Sequence, residues 1–140
     1  MTEFVVNIPA EKRKLKQLRW SVHIQPNDGG TELHYWILDN KGVMSKHSVQ
    51  NVTDITQTEL KTCTELIHSV LNTQTQDTKK HVQINLTSSS PFLINVVRDW
   101  LDQWSKNNFE TRPNQEYLKE LHMLKKICKI NAAWAQPKTI

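Results

Sequence analysis

The feature that most constrains this chain is a change of hydrophobic period near residue 55. Before it, apolar and polar residues alternate, the period of a half-buried strand. Trp20-Ser21-Val22-His23-Ile24 predicts one strand, and Pro26-Asn27-Asp28-Gly29-Gly30 a turn. Glu32 to Leu38 predicts a second strand, Asp39-Asn40-Lys41-Gly42 a tight hairpin turn, and Val43 to Val49 a third strand. Short connections between three strands predict an antiparallel meander.

After it the period becomes helical. Thr56-Gln57-Thr58-Glu59 has the spacing of a capping box, with Glu59 as its carboxylate. Leu60, Cys63, Ile67, Val70 and Leu71 then recur on one helical face, and the helix is expected to end near Asn72. His81 to Leu86 alternates again and predicts a fourth strand. The intervening helix lets it pair in parallel with the first. Ser90-Pro91 is a helix start, because serine caps well and proline suits the first helical position. Phe92, Leu93, Val96, Val97, Trp100, Leu101 and Trp104 follow as one stripe, broken at Asn107-Asn108. Pro113-Asn114 precedes a further helix with Tyr117, Leu118, Leu121, Leu124 and Ile127 inward, and residues 129–135 predict a last strand. The expected order is β β β α β α α β.

Composition narrows the function classes. A chain of 140 residues with 37% hydrophobic and 23% charged residues suits one domain with a modest core. No apolar run is long enough to span a bilayer, so no membrane role is expected. The first residues do not have the pattern of a secretory signal. Cys63 and Cys128 stand alone, without CxxC spacing, and are expected as reduced, buried thiols in a cytoplasmic or nuclear protein. His23, His34, His47, His68, His81 and His122 are scattered without HxxxH spacing, and no metal site or cofactor is expected. The net charge of +4 favours contact with polyanions. The densest basic run, Lys12-Arg13-Lys14-Leu15-Lys16, lies in a stretch read as a basic leader, residues 1–19, ahead of a domain spanning 20–140.

The element order, together with particular residues, resembles the ribonuclease H family. Trp100 and Trp104, followed by Ser105-Lys106-Asn107-Asn108-Phe109-Glu110-Thr111, resemble the family's tryptophan-bearing helix and the turn after it. Asn114-Gln115-Glu116-Tyr117-Leu118 resembles the start of the next helix, Thr58-Glu59-Leu60 the first helix, and Ile130-Asn131-Ala132-Ala133-Trp134 the last strand. The resemblance runs from about Trp20 to Gln136. It implies an α/β fold: a ribonuclease H-like five-stranded mixed sheet, three antiparallel strands and then parallel ones, flanked by helices.

The family's chemistry uses four carboxylates and two magnesium ions, which clamp the attacking and leaving oxygens of a phosphodiester. The resemblance puts the first-strand aspartate near Gln25 or Pro26, with Asp28 the nearest acid, in a turn. It puts the helix glutamate at Glu59 and the fourth-strand aspartate at Ser88. The last aspartate belongs to a terminal helix that the sequence, ending at Ile140, does not reach. Glu59 is thus expected as a remnant, with no metal and no cleavage by the family mechanism.

The resemblance matches Asn114 to the family's phosphate-pocket asparagine, and Trp100 and Trp104 to its DNA-groove tryptophans. Core packing for the tryptophans and a capping role for Asn114 are the structural alternatives. Ile55 and Thr56 replace the Asn-Gln that reads the RNA strand. Lys79, Lys80, Lys106 and Lys125 are the lysines expected to meet phosphates, with Lys119, Lys126 and Lys129 as a further basic face. The expected function is a catalytically inactive module that binds nucleic acid or scaffolds a nucleic-acid-processing complex. Two alternatives stand beside it. One is a module for protein interaction or self-association, through a sheet face left open and carrying Trp134, Trp36 or Tyr35. The other is an active metal-dependent ribonuclease with relocated acids at Asp28, Asp54 and Glu59.

Overall fold

A computed structural model describes residues 18–140. Most of the leader read from the sequence, residues 1–17, lies outside them. Leu18 and Arg19 do not belong to a leader: Leu18 is buried, its carbonyl accepts the Gln83 amide, and Arg19 opens the first strand.

The meander forms as the turns predict. Strands β1 (Arg19–Pro26), β2 (Leu33–Leu38) and β3 (Met44–Val49) pair antiparallel in sequence order. In the hairpin between β2 and β3, the Asp39 carboxylate accepts the amides of Lys41 and Val43, and Gly42 takes a positive φ of 86°. Helix α1 (Ile55–Asn72) leads through a short 3₁₀ turn, Lys79–His81, to β4 (Gln83–Ser88), which pairs in parallel with β1. The fourth strand therefore begins two residues later than the alternation suggested, because His81 belongs to that turn. Strand β5 (Lys129–Trp134) pairs in parallel with β4, giving the order β3-β2-β1-β4-β5.

Between β4 and β5 lie two helical rods. The first starts where Ser90 caps and Pro91 enters: α2 (Pro91–Asn95), a π-helical stretch (Val96–Trp100) and α3 (Leu101–Ser105). The π stretch carries the first tryptophan and has no signature in the hydrophobic stripe. The second is α4 (Gln115–Ile127), with Leu118, Leu121 and Leu124 buried.

The helices cover one sheet face. Val22, Ile24, Ile84 and Leu86 meet Cys63, Leu66, Ile67 and Val70 of α1 there, and Leu93, Val97 and Leu101 extend the same core. Burial pushes the Cys63 thiol up to about 12 and the Cys128 thiol up to about 11, so both are inert apolar fillers.

Among the described residues no helix packs on the other face. Its strand positions include Ser21, His23, Gln25, Trp36, Asn85 and Thr87, and the segment after β5 crosses it. Gln25 clasps that segment: its Nε2 donates to the Lys138 carbonyl at 2.9 Å and its Oε1 accepts the Lys138 amide at 2.6 Å. His23 continues the chain of bonds, Nε2 to Gln25 Oε1 at 2.9 Å and Nδ1 to the Thr87 hydroxyl at 2.7 Å.

The expected aromatic patch on this face needs correction. Register puts Tyr35 opposite Ile24 and Trp134 opposite Ser88, both on the helix-covered side, while only Trp36 shares the face of His23. The pleat decides this, since side chains alternate faces along a strand.

Candidate functional site

The expected capping box does not form. Asp54 is the cap of α1, its carboxylate accepting the Gln57 amide at 3.0 Å. A carboxylate one residue before the helix satisfies an orphan amide as well as a hydroxyl does, and Asp54 reaches it first. Thr56 lies inside the first turn, and Glu59 is released from any capping duty.

Glu59 instead points into the interior, 3% exposed. Its Oε1 has no hydrogen-bond partner among the described residues. Burial raises its pKa, opposed in part by a bond with the Ser90 hydroxyl. Ser88, wholly buried, accepts the Ser90 amide at 3.0 Å.

On β1 the residue beside Ser88 is Ile24. Of the two positions proposed from the sequence for the first-strand acid, Gln25 faces the opposite side, and Pro26 closes the strand on the side of Ile24. The surroundings of Glu59 are thus hydroxyls and hydrocarbon.

Two magnesium ions need several anionic oxygens and surrendered hydration. The residues here do not fit that group. Among the described residues, no three His, Cys, Asp or Glu side chains assemble into a possible metal site, and that includes the meander histidines.

A second feature lies where the N-terminal ends of α1, α2 and α4 meet. Leu60, Phe92, Pro113 and Leu118 wall a hollow of about 180 Å³ together with Trp100 and Trp104. The indoles are tilted 40° to each other with centres 5.4 Å apart, and Phe92 meets Trp100 edge-on at 6.3 Å. Its polar lining is Thr56, Arg112 and Asn114. Arg112 sits over Trp104, its guanidinium carbon 4.3 Å from the ring centre, a cation–π contact.

Asn114 begins α4 with a left-handed backbone, φ 61°, yet its side chain makes no capping bond. Asparagine tolerates this backbone better than most residues. The amide is therefore available to the hollow. Both tryptophans are half-buried, at once against the core and along the hollow.

The structure brings Trp100, Trp104 and Asn114 together and scatters the lysines. Lys125 is engaged internally, donating to the Val97 carbonyl at 2.6 Å and pairing with Asp102 at 3.4 Å. Lys79 and Lys80 precede β4, whereas Ser88 ends it, so about 17 Å of strand separates them from Glu59's surroundings. Lys106 is exposed just beyond α3. Arg112, absent from the sequence-based candidates, joins the tryptophans through a tight turn. Phe109 and Thr111 adopt positive φ within that turn, at 60° and 66°. Spacing alone does not reveal such a return.

No protein-family model matches the chain, and no curated protein matches it. Solved structures match its fold. The crystal structure of LC9-RNase H1, a type 1 RNase H with the type 2 active-site motif, has a TM-score of 0.63 at 11% identity, over 93% of this chain and 65% of that one. The foamy viral protease-reverse transcriptase in complex with an RNA/DNA hybrid has 0.56 at 10%, over 91% of this chain and 18% of that one. The solution structure of the PFV RNase H domain has 0.51 at 11%, over 82% and 77%. The chain thus spans less than two thirds of the first two. At such identities the likeness is one of fold, and the fold is ribonuclease H-like.

Proposed function

We propose that this chain is a ribonuclease H-like module that binds nucleic acid without hydrolysing it. The observation that carries the reading is the hollow in which Trp100, Trp104, Arg112 and Asn114 converge. Aromatic faces, one guanidinium and one amide are the side chains that nucleic-acid sites use for stacking, phosphate contact and edge recognition. The overall charge of +4 supports it by favouring association with a polyanion. Inactivity is supported by the surroundings of Glu59, where Ile24 and Ser88 supply no anionic oxygen.

The fold is shared with a foamy viral protein solved with an RNA/DNA hybrid, so a hybrid belongs among the ligands tested. The test is titration of the full chain with hybrid, duplex DNA and single strands at two salt concentrations, with cleavage assayed in magnesium and in manganese. Binding that weakens with salt, and intact strands after long incubation, are expected. Loss of all binding at low salt overturns the binding role. Metal-dependent cleavage that disappears in Glu59→Gln overturns the inactivity.

A further inference from the structure

We infer that the hollow accepts a single unpaired nucleobase, which makes unpaired strand, rather than duplex, the tighter ligand. The inference rests on the nucleic-acid reading above and specifies what the site grips. Three observations carry it.

The first is size. At about 180 Å³ the hollow is below the range of about 300 Å³ and upward typical of small-molecule sites. It suits one flat ring better than a whole nucleotide.

The second is wall chemistry. Leu60, Phe92, Trp100, Trp104 and Leu118 present hydrocarbon and aromatic faces. A bare phosphate gains little from such walls, whereas every base has a π face to stack on them. A paired base inside a duplex cannot offer that face, and taking it out of the stack costs unpairing energy.

The third is the placement of the polar groups. The Asn114 amide is free of capping and carries both donors and an acceptor, as the edge of a base does. Arg112 holds its charge over Trp104, where it meets the phosphate beside an inserted base. Thr56 adds a hydroxyl in the first turn of α1.

The experiment compares a short single-stranded oligonucleotide, the same strand with abasic sugars throughout, and its duplex. Binding is read by quenching of tryptophan fluorescence and by anisotropy of labelled strands. The base-bearing strand is expected to bind about tenfold more tightly than the abasic one, as stacking of one base provides. It is also expected to bind more tightly than the duplex. In Trp104→Ala the preference for bases disappears. Asn114→Gly, which keeps the left-handed backbone accessible, retains binding but levels the differences between the four bases. That keeps the inference testable should Trp104→Ala fail to fold. Equal binding of base-bearing and abasic strands, or tighter binding of duplex, overturns the inference and leaves the nucleic-acid reading standing. Absence of binding to every ligand overturns both.

Discussion

Ile24 and Ser88 stand side by side across the parallel β1–β4 pair, both on the sheet face that the helices cover and both wholly buried. Hydrocarbon and a hydroxyl there leave Glu59 without an anionic neighbour. Restoring one acid therefore does not restore a metal site. Ser88→Asp is expected to destabilise the fold by about 3–5 kcal/mol, the range for an uncompensated buried charge. Magnesium is expected not to raise its melting temperature. Thermal melts with and without the ion check this, and a stabilisation by magnesium refutes it.

Glu59 makes stability depend on pH in a defined direction. Its folded pKa lies above the ordinary 4.5, because burial disfavours the charged form. The folded state thus holds the proton more tightly than the unfolded one. The resulting stability is fully present below about 4.5 and is lost as pH rises through the raised folded value. Glu59→Gln removes the ionisation. It is expected to melt above the parent chain at neutral pH, with the difference shrinking towards zero in acid. Denaturant unfolding at a series of pH values tests the sign.

Helix α1 discriminates between two caps. Asp54→Ala is expected to cost about 1 kcal/mol through loss of the bond to the Gln57 amide. Thr56→Ala, which removes a half-buried hydroxyl from the lining of the hollow but no cap, is expected to cost clearly less than Asp54→Ala. If the two costs are reversed, the capping box read from the sequence is the true cap.

His23 opposes Glu59 in its pH response. Burial lowers its pKa below 6.5, with Lys138 acting in the same sense and the Gln25 bond against it. Its contribution is fully present above about 6.5 and is lost as pH falls through the depressed folded value. The bonds to Gln25 and Thr87 suit the neutral ring with its proton on Nε2. Protonation is expected to loosen the clasp on Lys138. Amide hydrogen exchange at Lys138, compared at neutral and mildly acid pH after correction for intrinsic rates, is expected to quicken in acid. In Gln25→Ala it is expected to be fast at both.

Element type and order were legible because each period had a tight turn or a cap beside it. Asp39–Gly42 fixed one hairpin, and Ser90-Pro91 one helix start. The cap of α1 was misread because Asp54 and Thr56 both fit a helix entrance by sequence, and only geometry shows which reaches the amide. The tail clasp pairs Gln25 with Lys138, far apart in the chain, through backbone atoms that every residue shares. The tryptophan spacing marked two residues of the hollow. Arg112 was hidden because it returns to Trp104 through left-handed backbone at Phe109 and Thr111, where no glycine advertises the turn.

The π-helical stretch Val96–Trp100 fits one more residue into its rod than uniform α-helical winding would hold. Excising a single residue there would let the rod wind as a uniform α-helix and leave the residues downstream in phase. The same excision in α3, where no residue is spare, would turn Trp104 by about 100° away from its recess with Trp100. The spare residue of this short segment therefore sets where the rod tolerates a length change: the loss of one within Val96–Trp100 should be far less damaging than the loss of one between Trp100 and Trp104.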